Sequence, residues 1–183
     1  MLIIGITGTL GAGKGTIVDY LTKEKGFEHF SVSEYLTEEL KKQKRPIDRD
    51  GMREIANEIR EKHGPDYITK VLFEKAKKEN GNAVIESIRN PKEVEFIKNH
   101  GGVLFAIDAD QKIRYERIKS RGSEKDNVTF KEFQLQEKKE KESTDPNAQN
   151  LSKCILMSNY KFDNNGSVKD LYDKVEKVII KIK

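Results

Sequence analysis

Short apolar runs alternate with amphipathic stretches along the chain, and this alternation predicts its elements. Continuous apolar runs at residues 2–6, 83–85 and 103–107 are typical of strands buried on both faces of a parallel sheet. Two shorter strands are predicted at residues 30–33 and 161–163. Segments with apolar residues at helical spacing separate these strands. The pattern predicts an α/β fold, with a central parallel sheet covered by helices on both faces.

The helical segments are marked by apolar spacing and by their end signals. Helices are predicted before Gly26, at residues 33–43, 52–59 and 67–76, from Pro91, and at residues 111–121, 130–142 and 168–182. Ser33 is the expected N-cap of the second helix. The helix at 130–142 is mostly charged, which predicts a solvated face. Because ligands of such sheets bind beyond the carboxyl ends of the strands, residues there are candidate site residues.

A glycine-rich segment follows the first strand directly and reads Gly8-Thr9-Leu10-Gly11-Ala12-Gly13-Lys14-Gly15-Thr16. Glycine permits turns that aim backbone N–H groups inward, and the next helix points its N-terminus at the same place. Lys14 adds a positive charge at the β- and γ-phosphates. The alternative is a glycine-rich turn that binds nothing. The strand–loop–helix context favours a phosphate-binding loop (P-loop), with cofactor-binding candidates Gly8, Gly11, Ala12, Gly13, Lys14, Gly15 and Thr16.

The residue after the P-loop lysine departs from the general motif. That position normally holds a Ser or Thr that binds Mg²⁺, whereas here it is Gly15 and the hydroxyl follows at Thr16. The chain also lacks an Asn-Lys-x-Asp motif for reading a guanine base. Both features favour a kinase over a GTPase or a motor ATPase. Thr16 and, through water, Glu86 are the candidate metal ligands.

Two residues with charged side chains follow the buried strand at residues 83–85. Glu86 is a candidate for holding Mg²⁺ through water or for orienting the acceptor, and Arg89 for pairing with a substrate phosphate. The alternative is an internal ion pair between them that caps the strand. The position at the ligand edge of the sheet favours the functional interpretation.

Three arginines recur on one side of the helix at residues 111–121. Arg114, Arg117 and Arg121 have the spacing i, i+3 and i+7, and a loop at residues 122–127 follows them. Phosphoryl transfer needs cations around the transferred group, so Arg117 and Arg121 are catalytic candidates with Lys14 and Arg89. The alternative is a solvated helix that pairs with Glu116, and for Arg114 the two interpretations are balanced.

Further candidates lie in the segment after the second strand. Ser33 and Glu34 are candidates for binding substrate, although helix capping explains Ser33 equally well. Arg49 and Arg53 are candidates for an acceptor phosphate, against the alternative of ordinary surface arginines. His29, His63 and His100 have no carboxylate or cysteine at ligand spacing, which predicts structural or surface roles.

Composition narrows the class of protein. The 183 residues fit one domain spanning residues 1–183, and a net charge of +4 with interspersed signs argues against a nucleic-acid-coating protein. The single cysteine, Cys154, excludes an intrachain disulfide and predicts a buried structural thiol. No run approaches the ~18 apolar residues of a membrane span, so we expect no membrane association and a cytoplasmic protein.

Four segments carry a resemblance to a known family over nearly the whole chain. They are GITGTLGAGKGT, VIESIRNPKEVEFIK, RYERIKSRG with Asp126 and Phe133 after it, and QNLSKCILMSNYKFDNNGSVKDL. The chain resembles the nucleoside monophosphate kinase branch of P-loop kinases. Within that branch it is similar to the adenylate-kinase-related or dephospho-CoA-kinase-like subgroup, and to the kinase-like domain fused to some deoxycytidylate deaminases.

The resemblance implies a three-layer P-loop kinase fold that uses ATP and Mg²⁺. It implies an acceptor-binding helical region at about residues 33–78 and a lid at about residues 117–130. By the same resemblance, Arg89 binds the acceptor phosphate, Arg117 and Arg121 stabilise the transferred group, and the loop of Asn164, Asn165 and Gly166 lies near adenine. Thr37 stands where the family often has an acceptor-binding arginine, so Arg49 or Arg53 supplies that contact or it is missing.

These observations together predict an ATP-dependent kinase acting on a small nucleotide, most simply a (deoxy)nucleoside monophosphate. A dephospho-CoA kinase is an alternative, in which Glu34 or Glu86 serves as the base for a ribose hydroxyl. A nucleotide-sensing regulatory module is the alternative that is not an enzyme. The expected oligomeric state is a monomer or a homodimer.

Overall fold

A five-stranded parallel sheet forms the centre of the protein. The computed structural model describes residues 1–122 and 128–182. The strands are β1 (Ile3–Gly8), β2 (Glu28–Ser31), β3 (Ala83–Glu86), β4 (Val103–Asp108) and β5 (Tyr160–Asp163), in the order β2-β3-β1-β4-β5. Every residue of β1 is buried, as expected for the central strand, and Gly5 pairs with Ile85 on one side and Leu104 on the other.

Helices cover both faces of this sheet. They are α1 (Lys14–Lys25), α2 (Val32–Lys42), α3 (Arg49–His63), α4 (Tyr67–Glu79), α5 (Pro91–Asn99), α6 (Gln111–Arg121), α7 (Phe130–Lys141), α8 (Leu151–Leu156) and α9 (Val168–Ile182). One core cluster joins the sheet to α2, α3, α4, α5 and α8, and a second joins it to α1 and α9. This arrangement confirms the predicted α/β P-loop kinase fold, with three layers around a parallel sheet.

Two local predictions near the second strand were wrong. β2 covers Glu28–Ser31 rather than residues 30–33, and α2 follows it without a loop. Ser31, not Ser33, caps α2, because its hydroxyl accepts a hydrogen bond from the Glu34 backbone N–H. Because α2 begins at Val32, Ser33 lies in the first turn of the helix and not at its N-cap.

The structure also changes the interpretation of the C-terminal third. The predicted solvated helix is α7, and three of its side chains, Phe133, Glu137 and Glu140, are buried. Helix α8 was not predicted; it begins after Asn150, whose side chain caps it, and carries the buried Cys154. Burial raises the pKa of that thiol, as befits the predicted structural role.

Two further predictions concern the lid and membrane-spanning segments. The lid was predicted at about residues 117–130, and its central residues 123–127, including Asp126, lie outside the described residues. Across the described ranges, none of the helices combines the length and apolar character that crossing a bilayer requires.

Candidate active site

The loop between β1 and α1 is tightly folded, and the side chain of Asn164 packs against it. Gly13 has a φ of 101°, and a Cβ there would lie 2.3 Å from the Nδ2 atom of Asn164. That Nδ2 donates to the Ala12 carbonyl at 2.8 Å. Only glycine fits this position. Asn164 directly follows β5 and is buried, and sequence reasoning missed its role in shaping the P-loop.

Lys14 lies folded over the loop that carries it. Its Nζ donates to the carbonyl oxygens of Gly8 and Thr9, at 2.9 Å each. Burial, helped by the nearby positive charge of Arg89, lowers the pKa of Lys14 from 10.5 to about 8. The ammonium is therefore poised to exchange two carbonyl contacts for anionic oxygens, which would raise the pKa again.

We expect nucleotide affinity to fall as pH rises from about 7 to about 9. Lys14 carries its charge below a pKa of about 8 and loses it above, so the protonated, anion-binding form disappears through this window. The measurement is the affinity for ADP as a function of pH. The variant Lys14→Arg keeps its charge throughout the window, so a decline of the same size in this variant would contradict the assignment to Lys14.

A single cleft of about 860 Å³ opens beside the P-loop, at the carboxyl ends of β1 and β3. Its charge is strongly one-sided, because seven of the described side chains lining it are basic and three are acidic. The basic ones are Lys14, Arg49, Arg53, Arg60, Arg89, Arg117 and Arg121. The whole chain carries a net charge of only +4, so the cleft concentrates much of the excess. Such a surface favours anionic ligands.

Most of the predicted site residues come together in this cleft. The predicted residues that line it are Gly11, Gly13, Lys14, Gly15, Thr16, Ser33, Arg49, Arg53, Glu86, Arg89, Arg117 and Arg121. Among described residues, Gly8, Ala12, Glu34, Asn165 and Gly166 are absent from the lining. The Asn165 side chain instead accepts a hydrogen bond from the Asp110 backbone, beside the loop. The predicted proximity of Asn165 and Gly166 to adenine stays a prediction.

Glu86 is held as a carboxylate by neighbours on β2. The Ser31 hydroxyl donates to its Oε1 at 2.9 Å, and His29 Nε2 lies 3.6 Å from the same atom. Burial raises the pKa of Glu86, but the hydrogen bonds from His29 and Ser31 outweigh it and hold the pKa below its usual range. The proximity of His29 to a carboxylate could not be predicted from the sequence, because 57 residues separate His29 from Glu86. The charged, hydrogen-bonded Glu86 fits the donor chemistry of Mg²⁺.

Arg89 does not form the ion pair with Glu86 that the structural alternative predicted; its partner is Glu140. Its Nη1 lies 2.6 Å from Glu140 Oε2 and 3.2 Å from Gln149 Oε1, so its ion pair is with Glu140. Both partners line the cleft, and both come from the C-terminal third of the chain. Sequence reasoning missed Glu140 and Gln149, because no local pattern indicates which distant strand end they reach.

The arginine stripe of α6 divides into two parts. Arg114 is buried and donates to the carbonyls of Ala109 and Leu10, at 2.7 and 3.2 Å, and it forms an ion pair with Glu137. These contacts, and its absence from the cleft lining, favour the structural interpretation of Arg114 over the functional one. Arg117 lines the cleft, where its Nη2 donates to the Asn164 carbonyl at 2.9 Å.

Helices α2 and α3 form the far wall of the cleft. Its lining is partly apolar, through Val32, Leu36 and Met52, and partly basic. Thr37 does not line the cleft, and its hydroxyl donates to the Ser33 carbonyl, so the position gives no anion contact. The wall offers an apolar surface for a flat group, bordered by cations.

The residues present fit a magnesium ion that is bound mainly through a nucleotide. Thr16 and Glu86 both line the cleft and offer hard oxygen donors. In the described ranges, no group of three or more His, Cys, Asp or Glu side chains is placed to hold a metal by itself. Mg²⁺ commonly uses one or two protein ligands and completes its coordination with water and phosphates.

Comparison with solved structures places this fold in a class. The chain superposes on shikimate kinase from Acinetobacter baumannii with a TM-score of 0.60 and 17% identity, over 99% of this chain and 94% of that one. It superposes on deoxyadenosine kinase from M. mycoides with a TM-score of 0.55 and 16% identity, over 98% and 99%. The protein therefore has the fold of P-loop kinases.

Sequence relatives define the family more closely. A family model with the description "AAA domain" matches residues 4–145. The UPF0200 protein of Pyrococcus horikoshii is 30% identical over 99% of this chain and 97% of its own length. That of Sulfurisphaera tokodaii is 30% identical over 98% and 97%. The chain belongs to this AAA-domain family and to the UPF0200 proteins.

Proposed function

We propose that the protein is an ATP- and Mg²⁺-dependent kinase that phosphorylates a small nucleotide, most simply a (deoxy)nucleoside monophosphate. One observation carries the proposal: the P-loop and arginines from α3, from the end of β3 and from α6 line the same cleft. Phosphoryl transfer between nucleotides brings the phosphates of the donor and of the acceptor together, so it requires one cleft with positive charge on both sides.

In this proposal, the P-loop amides and Lys14 bind the phosphates of ATP, and the adenine lies towards Asn165 and Gly166. Thr16 and Glu86 would hold Mg²⁺, which supplies charge neutralisation on the phosphates when bound. Arg117 and Arg121 stabilise charge on the transferred group, and this is the main catalytic requirement in phosphoryl transfer. A lid at residues 117–130 would exclude water and limit hydrolysis.

The acceptor side supports a phosphate acceptor more than a hydroxyl acceptor. A hydroxyl requires a base whose pKa lies near the working pH. Glu34 is outside the cleft lining, and hydrogen bonds hold the pKa of Glu86 below its usual range, so each is a poor base. A phosphate acceptor needs no base, and the apolar wall of Val32, Leu36 and Met52 suits a planar nucleobase.

The test is ADP release from ATP and Mg²⁺, measured with a panel of ribo- and deoxynucleoside monophosphates, dephospho-CoA and an ATP-only control. We expect one class of nucleoside monophosphate to stimulate release well above the control. Stimulation by dephospho-CoA alone would replace the proposal with the hydroxyl-acceptor alternative. Tight ATP binding without stimulation by any acceptor would favour a nucleotide sensor.

A further inference from the structure

The buried guanidinium of Arg60 on α3 is not satisfied by the protein around it. The residue is 1% exposed, and its Nη2 donates to Glu93 Oε1 at 3.1 Å. In the part of the chain that the structure describes, neither its Nε nor its Nη1 has a hydrogen-bond acceptor. An unmatched buried N–H group costs free energy and calls for an explanation in a native protein.

Its partner Glu93 accepts from only one of the Arg60 N–H donors, the Nη2 group. While Oε1 of Glu93 accepts from Arg60, Oε2 accepts from the backbone N–H groups of Arg89 and Asn90, at 2.9 Å each. Glu93 is 0% exposed and is fixed in the capping box of α5. It offsets the charge of Arg60, but the described residues supply no acceptor for Nε or Nη1, which leaves both groups available to a ligand.

A second arginine of α3 lines the cleft together with Arg60. Arg53 precedes it by seven residues, which is two helical turns, and both side chains line the cleft. Arg53 pairs with Asp50, and its Nη1 is also buried without an acceptor among the described residues. Arg89, by contrast, already has Glu140 and Gln149 on its Nη1. Helix α3 therefore carries three buried arginine N–H donors without an acceptor among the described residues, and Arg117 Nη1 on α6 is a further one in the same cleft.

We propose that Arg60, together with Arg53, forms an anion site on α3 that binds the phosphate monoester of the acceptor. Two guanidinium groups match the charge and oxygen count of a phosphate dianion. This site supplies the cationic contact that Thr37 does not give. The identity of the ligand as the acceptor rests on the proposed function, whereas phosphate binding at Arg60 does not.

The test compares the double variant Arg60→Met/Glu93→Gln with Glu93→Gln alone. The double variant removes the cation without leaving Glu93 as an unpaired buried charge, and glutamine can still cap α5. Calorimetric titration with inorganic phosphate is done with the P-loop filled by a nonhydrolysable ATP analogue and Mg²⁺. We expect the double variant to lose about 10- to 100-fold in phosphate affinity, while Glu93→Gln retains phosphate binding and both retain the ATP analogue.

A second variant keeps the test decisive if the first does not fold. Arg60→Lys retains the charge opposite Glu93 but loses the planar guanidinium, and we expect about a tenfold loss of phosphate affinity. Phosphate affinity unchanged in the folded Arg60 variants would overturn the inference. Failure of the proposed function has a different signature, which is the absence of acceptor-stimulated ADP release in the unaltered protein.

Discussion

Replacing Lys14 with methionine is expected to lower turnover by about 10²- to 10³-fold while the protein stays folded. The side chain is the cation closest to the P-loop carbonyls, with two contacts at 2.9 Å. Its lowered pKa indicates that folding disfavours the charge, so the uncharged and similarly long methionine should not destabilise the fold. ADP release and the thermal midpoint of unfolding measure the two effects.

A matched variant separates the site from the general loss of a lysine. Lys75 is exposed on α4, away from the cleft lining, and Lys75→Met should leave both readouts unchanged. If Lys14→Met retained normal turnover, phosphoryl transfer at this P-loop would be refuted. A Lys14→Met protein that had lost its fold would instead show that the lysine is structural.

Replacing Arg114 with methionine is expected to lower the free energy of unfolding by about 3–5 kcal/mol. The side chains of Arg114 and Glu137 are 4% and 3% exposed, so the variant would leave a buried carboxylate with only the half-exposed Lys141, at 3.6 Å, as a cation. Burial raises the pKa of Glu137, but hydrogen bonds from Arg114 and Gln111 hold it below its usual range. Urea unfolding monitored by circular dichroism measures the loss.

Two comparison variants show whether this loss comes from the unpaired charge. Arg114→Met/Glu137→Leu removes both charges and should recover much of the stability, because an apolar pair can replace a buried ion pair. Arg117→Met, one helical turn away, should change stability by about 1 kcal/mol or less, yet reduce turnover. Equal stability losses in Arg114→Met and Arg117→Met would contradict the division of the stripe.

The features that the sequence predicted well are encoded locally. The apolar runs of β1, β3 and β4 are continuous because helices cover both faces of the sheet. These strands can therefore be predicted from the sequence alone. The P-loop is a contiguous motif that fits one turn between strand and helix. Arg89 and Glu86 were found because strand ends are the usual ligand edge of such sheets.

The features that were missed depend on contacts between distant parts of the chain. Asn164 lies 152 residues from Ala12, whose carbonyl it binds, and Glu140 lies 51 residues from Arg89. Arg60 has ordinary helical surroundings in the sequence, and only the fold shows that its guanidinium is buried. The charged run of α7 was predicted to be solvated because pattern alone cannot show that two of its carboxylates, Glu137 and Glu140, pair with Arg114 and Arg89.

The excess of positive charge in the cleft also governs how a ligand arrives. Seven basic side chains against three acidic ones in a concave site extend an attractive potential into the solvent. The range of that potential is set by the Debye length, about 10 Å at 0.1 M salt. Capture of nucleotides by this protein is therefore steered, so its association rate constant should decrease as ionic strength rises even where the bound contacts stay the same.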